Sequence, residues 1–173
     1  MYTEFEREKV VEYLAEKMNQ GRKLIIVDPY FLCKMKKQRI EEYIQELKRV
    51  INGYKEVLIF THTHTHRDEE KNEEHKRNEE RIINFLNKDR YVKIIKTSRL
   101  HDRLWIKDGK DYYVVGSSFN GIGFSFGFIY QLVESKTYRR IEEYLEKKIM
   151  NNTNLSKKEK KESINFMKNI LSR

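Results

Sequence analysis

A histidine and an arginine lie two residues apart in the segment Leu100–Lys107, as His101 and Arg103. Residues two apart in an extended strand point to the same face, so these two side chains are predicted to lie side by side. An imidazole can act as a nucleophile or carry a proton near neutral pH, and a guanidinium can bind two phosphate oxygens at once. The pair therefore suits attack on a phosphodiester.

A second strand, Asp111 to Val115, is predicted to run back antiparallel, because Asp108-Gly109 is a favoured sequence for a tight hairpin turn. The returning strand delivers a turn of small and polar residues to the end of the hairpin where His101 lies. Glycine lets the backbone approach a ligand, and serine and asparagine supply hydrogen-bond donors. This turn is a candidate anion cradle, and its members are Gly116, Ser117, Ser118 and Asn120.

The chain before the hairpin alternates amphipathic segments with short apolar runs. A capping box, Thr3-x-x-Glu6, predicts a first helix over about 4–19. The runs at 24–27 and 57–60 are typical of strands buried on both faces, and Asp28-Pro29 ends the first of them. Helical periodicity over 40–51 lies between these runs, so their order predicts a βαβ unit with parallel strands.

The remaining elements complete an α/β pattern. A charged helix is predicted over about 68–88, a third strand over 91–95, and a last strand over 124–133. Aromatic residues alternate along the last strand at 124, 126, 128 and 130. Most of these, together with Tyr112, Tyr113 and Phe119, are interpreted as core, with base stacking as the alternative.

The carboxyl-terminal segment is predicted to be helical. Ile141, Leu145 and Ile149 form one stripe, residues 151–154 break it, and Ser156-x-x-Glu159 has the spacing of a capping box. The final helix is basic and amphipathic, which suits packing on the domain, dimerisation or contact with an anionic partner. The predicted organisation is a domain over 1–150 followed by a basic helical extension over 151–173.

Composition and charge exclude several classes of protein. No apolar run approaches the ~20 residues of a membrane span, and the acidic first residues do not resemble a signal peptide, which predicts a cytoplasmic protein without a transmembrane segment. The one cysteine, Cys33, excludes an internal disulfide. Lys and Arg number 36 against 27 Asp and Glu, a formal charge of +9 that favours nucleic acid or anionic lipid headgroups as partners.

A second cluster of functional residue types is the run 61–66, in which threonine and histidine alternate. Histidines two apart in an extended strand lie on one face, and imidazoles on one face can bind zinc or nickel. No metal is predicted to be required, and the alternative is a polar strand end that continues into a loop. The candidate ligands for a metal are His62, His64 and His66.

The spacing around the hairpin resembles a known motif. His101-x-Arg103, four residues, Asp108, and then Gly116-Ser117 after seven more resemble the His-x-Lys-x4-Asp motif and trailing Gly-Ser of the phospholipase D superfamily. The strand leading to Asp28-Pro29-Tyr30 is similar to the opening of divergent phospholipase D-like domains. The resemblance covers roughly residues 22–133 and implies a mixed α/β sheet flanked by helices, here with an extra carboxyl-terminal helix.

The resemblance also implies roles for individual residues. In that family the histidine attacks phosphorus to form a phosphohistidine without a cofactor, the lysine and the Gly-Ser and Asn groups bind phosphate, and the aspartate supports a histidine. His101 is then the nucleophile, with Arg103 in the place of the lysine and Asp108 matching the aspartate. The implied phosphate-binding residues are Arg103, Gly116, Ser117, Ser118 and Asn120.

Three functions are consistent with these observations. Family enzymes use two such motifs, whereas this chain has one, so either two chains meet about a two-fold axis, as in single-motif nucleases of the family, or the site only binds. The first hypothesis is a homodimeric, metal-independent nuclease. The second is a non-catalytic module that binds phosphate in nucleic acid or anionic lipid within a larger assembly. The third is a structural domain that binds a protein partner.

Overall fold

The fold is built from six strands and five helices in the part of the chain that the computed structural model describes, residues 4–32, 39–62, 69–98, 100–122, 128–152 and 154–172. The helices are α1 (Glu4–Met18), α2 (Ile40–Val50), α3 (Glu69–Asn87), α4 (Ser135–Met150) and α5 (Lys157–Leu171). The strands are β1 (Lys23–Val27), β2 (Glu56–His62), β3 (Tyr91–Thr97), β4 (Leu104–Lys107), β5 (Asp111–Val115) and β6 (Ile129–Leu132).

The strands form one mixed sheet in the order β3-β2-β1-β4-β5-β6. β1, β2 and β3 run parallel, which confirms the predicted βαβ unit. β4 runs antiparallel to β1, with Val27 opposite Leu104, and β5 and β6 continue antiparallel. The carboxyl ends of β1 and β2 therefore meet the start of β4 and the end of β5 at one edge of the sheet.

Helices cover both faces of the sheet. On the first face, α1, α2 and α3 pack against alternate strand residues, with Leu24, Ile26 and Trp105 fully buried. The opposite alternation, which includes Ile25, Val27 and Ile106, packs against α4 and α5. The side chains on both faces of β1 and β2 are buried because helices form a hydrophobic core on each face of the sheet, as the continuous apolar runs predict.

The final helix α5 packs on the sheet with α4. Met167 and Ile170 are buried in the second core, beside Leu145 and Ile149 of α4. The predicted capping box is confirmed: the Ser156 hydroxyl accepts from the Glu159 amide, and the Glu159 carboxylate accepts from the Ser156 amide at 2.8 Å. These bonds satisfy two amides that the first turn of a helix leaves without partners. Helix α5 therefore starts at a formed cap and contributes Met167 and Ile170 to the hydrophobic core on the second face of the sheet.

The last strand differs from the sequence prediction. Its described part is β6, while residues 123–127, including Phe124 and Phe126, lie outside the described residues. Phe128 and Tyr130 are each 56% exposed, so these two are not among the aromatic residues that form the core. The reason is that β6 is the edge strand of the sheet and pairs with β5 alone among the described strands. Tyr112, Tyr113 and Phe119 are buried as expected.

No helix in the described part of the chain is long and apolar enough to cross a membrane. Cys33 lies outside the described residues.

Candidate functional site

His101 lies at the sheet edge where β4 begins, and it is exposed. Its ring faces that of His62, the last residue of β2, with the ring centres 6.5 Å apart in a perpendicular arrangement. The Leu100 amide donates to Nε2 of His62 at 2.8 Å. A ring nitrogen that accepts a hydrogen bond carries no proton, so this contact fixes the tautomer of His62. His62 thereby anchors the backbone next to His101.

Arg103 follows at the same edge and is half-buried. Its guanidinium carbon lies 5.8 Å from the centre of the Tyr30 ring, in the range of a cation–π contact. Its Nε is buried and has no hydrogen-bond partner among the described residues. Arg103 lines the cleft beside the exposed His101, and a guanidinium can bind two phosphate oxygens at once, so this end of the sheet is a position that suits an anionic ligand.

An open cleft of about 510 Å³ joins these residues. His101, Arg103 and Gly116 line it from the sheet, and Arg140 and Tyr144 line it from α4. The structure therefore brings together the histidine, the arginine and the start of the Gly-Ser turn. The strand predicted to contain His101 and Arg103 is shorter than expected, because β4 begins at Leu104 and both residues precede it.

One carboxylate, Asp102, also lines this cleft. Burial and the neighbouring Asp102 carboxylate raise the pKa of the Tyr144 phenol. The phenol therefore stays protonated at neutral pH.

Gly116 has a structural role in the described geometry. A Cβ atom there would lie 2.8 Å from the Phe128 amide nitrogen, closer than real contacts allow. Its own amide donates to the Phe128 carbonyl at 2.7 Å. The glycine lets β6 approach β5, so its N–H serves the sheet rather than an anion.

The other members of the predicted cradle have different positions. Ser117 and Ser118 are buried behind the cleft, and the Ser118 hydroxyl accepts from the Gly121 amide at 3.2 Å, which caps the short 3₁₀ turn Phe119–Gly121. Asn120 lines a separate, narrow opening with Arg7 and Tyr43 on the first face of the sheet. The structure therefore does not bring Asn120 to His101.

Asp28 is a residue of this edge that sequence reasoning did not assign to the site. It follows β1 directly and is 1% exposed. One carboxylate oxygen accepts from the Tyr30 amide at 2.9 Å and the other from the Phe119 amide at 2.7 Å. Burial raises its pKa from 3.8 to about 6, while these hydrogen bonds and the charge of Arg103 act in the opposite direction. Asp28 ties the turn after β5 to the end of β1.

Asp108 lies at the opposite end of the hairpin from His101. Its carboxylate accepts from the Arg22 and Lys23 amides at 3.0 and 2.8 Å, which fastens the hairpin turn to the start of β1. Both Asp108 and Gly109 have positive φ, at 51° and 64°, the conformation that this turn requires. The whole of β4 separates Asp108 from His101, so its predicted catalytic role is not supported by its placement.

The candidate metal ligands are described only in part. His64 and His66 lie outside the described residues, whereas His62 uses Nε2 to accept from the Leu100 amide. Within the described ranges, no group of three or more histidine, cysteine or acidic side chains is arranged to hold a metal ion.

Comparisons with known proteins find similarity at the level of the fold. No protein family matches the sequence, and no curated protein matches it either. Among solved structures, the chain is similar to "NucT from Helicobacter pylori", with a TM-score of 0.53 and 14% sequence identity over 87% of this chain and 93% of that one. A likeness at this identity shows the fold alone. The chain therefore has the predicted phospholipase D-like fold, a six-stranded mixed sheet with helices on both faces.

Proposed function

We propose that the chain is a metal-independent phosphodiesterase that acts on nucleic acid, with His101 as its nucleophile. The observation that carries this proposal is the open cleft that exposed His101 and half-buried Arg103 line together. A phosphate placed there meets a nucleophile and a positive charge together. The phospholipase D-like fold supports the proposal, because that family includes nucleases with a single motif.

The reaction has two steps. A ring nitrogen of His101 attacks phosphorus, the bond to the leaving oxygen breaks with its electron pair, and a phosphohistidine forms. Water then attacks the phosphorus, and the bond to His101 breaks. Arg103 offsets the charge that develops on the phosphate oxygens during both steps.

The leaving oxygen needs a proton, and a general acid must supply it. We assign this role to His101 of a second copy, which donates a proton to the leaving oxygen in the first step and takes one from the attacking water in the second. The enzyme is then a homodimer with both histidines at one phosphate. The ring of His62 lies next to that of His101, but its Nε2 accepts from the Leu100 amide. We therefore assign His62 to positioning His101.

Nucleic acid is the favoured substrate class because the chain carries a formal charge of +9 and the cleft has arginines on two sides, Arg103 and Arg140. Phosphates of a nucleic acid attract such a surface irrespective of sequence. We expect the protein to act in the cytoplasm.

The test is the hydrolysis of a fluorescently labelled oligonucleotide in the presence of EDTA. His101→Ala should abolish hydrolysis without weakening binding more than a few-fold, because the change removes the nucleophile and leaves Arg103 in place. Lys110→Ala, at the far end of the same hairpin, is the control and should cleave like the wild type. Cleavage that stops in EDTA would contradict the mechanism and direct attention to the histidines at 62–66.

The second candidate function is a phosphate-binding module without catalysis. Arg103 in the cleft supports it, because a guanidinium can bind phosphate whether or not a bond is broken. Sedimentation separates the two functions when it is combined with the cleavage assay. A monomer that binds oligonucleotides and never cleaves them would establish the module, whereas a dimer whose activity needs His101 would establish the enzyme.

A further inference from the structure

A second opening continues the cleft along α4. It has a volume of about 390 Å³ and lies between the end of β3 and the last turns of α4. Tyr144 lines both openings, so they adjoin one another along α4, and we call the two together the α4 groove. The lining of the second opening is Thr97, Ser98, Tyr144, Lys147, Lys148 and Asn151.

The groove follows one face of α4. Its α4 residues recur at steps of three and four, from Thr137 through Arg140 and Tyr144 to Lys147, and Asn151 lies just past the helix. The fourteen steps from Thr137 to Asn151 span about 21 Å at about 1.5 Å per residue. A stacked strand carries one phosphate per ~3.4 Å, so this length matches about six nucleotides. Proteins that bind single strands have sites of this size.

Positive charge lines the groove throughout its length. Neither Arg140 nor Lys147 forms an ion pair within the part of the chain that is described. The ammonium group of Lys148 lies 5.1 Å from the centre of the Tyr144 ring, so the cation and the aromatic ring face the same space. Paired cations and aromatic rings are the groups with which proteins hold a single strand.

The carboxylates of α4 contact other groups. The second opening has no acidic residue among its described lining, and Asp102 is the one acidic residue described in the lining of the first opening. Among the glutamates of α4, Glu142 accepts from the Tyr112 hydroxyl at 2.8 Å, Glu143 pairs with Arg139 at 3.2 Å and Glu146 with Lys168 at 3.5 Å. The net charge of the groove is therefore positive although α4 itself carries several acids.

We propose that the α4 groove holds the nucleotides on one side of the phosphodiester that reacts at His101, with Arg140, Lys147 and Lys148 contacting their phosphates. This inference rests on the proposed function and extends it to a footprint of about six nucleotides on each protomer. A membrane is the poorer fit, because a helix that binds lipid inserts its apolar face. The apolar face of α4, with Leu145 and Ile149, is buried in the second core.

The test compares two double variants that lose the same charge. Lys147→Ala/Lys148→Ala removes the groove lysines, and Lys48→Ala/Lys55→Ala removes two exposed lysines that do not line the groove. Each is combined with His101→Ala to prevent cleavage, and fluorescence anisotropy measures binding of labelled oligothymidylates of increasing length at several salt concentrations. Circular dichroism checks that both variants keep their helices.

The groove variant should bind about 25-fold more weakly near 0.1 M salt. Each phosphate contact with a single strand contributes about 0.7 to the slope of log affinity against log salt, so two contacts contribute about 1.4. The slope should fall by that amount, and the gain in affinity with oligonucleotide length should shrink. The control variant should stay within about twofold of the His101→Ala parent.

Equal weakening of the two double variants would overturn the α4 groove and leave the proposed function standing. Hydrolysis of a small diester, bis(p-nitrophenyl) phosphate, by the wild type and not by His101→Ala tests the function independently of the groove. If the wild type neither hydrolyses that ester nor binds any oligonucleotide, the proposed function fails and the footprint fails with it. Binding to phosphatidylserine vesicles that only the groove variant loses, with oligonucleotide binding retained, would assign the groove to lipid headgroups.

Discussion

Replacing Asp28 with asparagine should change how the stability of the fold depends on pH. The Asp28 carboxyl is 1% exposed, and burial raises its pKa from 3.8 to about 6. Between these two values the folded protein keeps the proton while the unfolded chain releases it. The unfolded state then binds fewer protons than the folded state. The contribution of Asp28 to the free energy of unfolding therefore falls as the pH rises from about 4 to about 6, and it is constant above about pH 6.

The size of this effect follows from the two pKa values. At about 1.4 kcal/mol per pKa unit, a rise from 3.8 to about 6 corresponds to about 3 kcal/mol in full. About 2 to 3 kcal/mol of it falls between pH 4 and pH 7. The asparagine side chain of the variant carries no titratable proton. The free energy of unfolding of the wild type should therefore fall by about 2 to 3 kcal/mol relative to that of Asp28→Asn between pH 4 and pH 7. Taking the difference between the two proteins removes the other carboxyl groups, which titrate in both.

Urea unfolding followed by tryptophan fluorescence measures this difference. Trp105 is the one tryptophan in the chain, it is fully buried, and its ring centre lies 5.6 Å from that of Phe119, whose amide donates to Asp28. Asp89→Asn, an exposed carboxyl, is the control and should give a flat difference. A flat difference for Asp28→Asn, or one in which the wild type gains stability with pH, would refute the reasoning. If Asp28→Asn does not fold, the carboxyl titration of the wild type by NMR decides, with a midpoint near 6 expected.

Two further substitutions test the neighbourhood of His101. Gly116→Ala should lower the free energy of unfolding, measured in urea, by about 1 to 3 kcal/mol, because the added methyl group would lie 2.8 Å from the Phe128 amide nitrogen. The control Gly121→Ala, whose added methyl group would have its nearest contact at 3.4 Å, should lower it much less. Equal losses of stability in the two variants would contradict the close approach of β6 to β5. His62→Ala should slow oligonucleotide hydrolysis at least tenfold by releasing the Leu100 amide, and His62→Gln, which restores an acceptor, should recover part of the rate. Equal rates for these two variants would show that His62 does not position His101.

Local rules explain the parts of the fold that the sequence predicts well. The Ser156 and Glu159 cap, the Asp108-Gly109 turn and the buried run Leu24 to Val27 each depend on residues close together in the chain. Backbone conformation and periodicity decide such elements without reference to the rest of the molecule. The placement of His101, Arg103 and Gly116 at one cleft follows from the same rules, since a hairpin brings its two open ends together.

Long-range geometry explains what the sequence does not predict. The Asp28 carboxylate meets the Phe119 amide across 91 residues of chain, and no local pattern announces that contact. Phe128 and Tyr130 alternate like core residues, yet their exposure depends on the position of β6 at the end of the strand order. The motif spacing places Asp108 near His101 along the chain, whereas an extended strand carries the two to opposite ends. The sequence signal that could have identified Asp28 as a residue of the site is the pair Asp28-Pro29 directly after a buried strand.

The strand order of the sheet also governs the sequence of events during synthesis. β1 pairs with β2 along one edge, and its other edge stays unpaired until β4 emerges from the ribosome about eighty residues later. At roughly 5 to 20 residues per second, that edge of β1 stays open for about 4 to 16 s on the ribosome. An apolar strand with unpaired amides and carbonyls is a template for pairing with other chains. The nascent protein therefore has a period of exposure to aggregation that ends only when the hairpin β4–β5 docks and Asp108 binds the Arg22 and Lys23 amides.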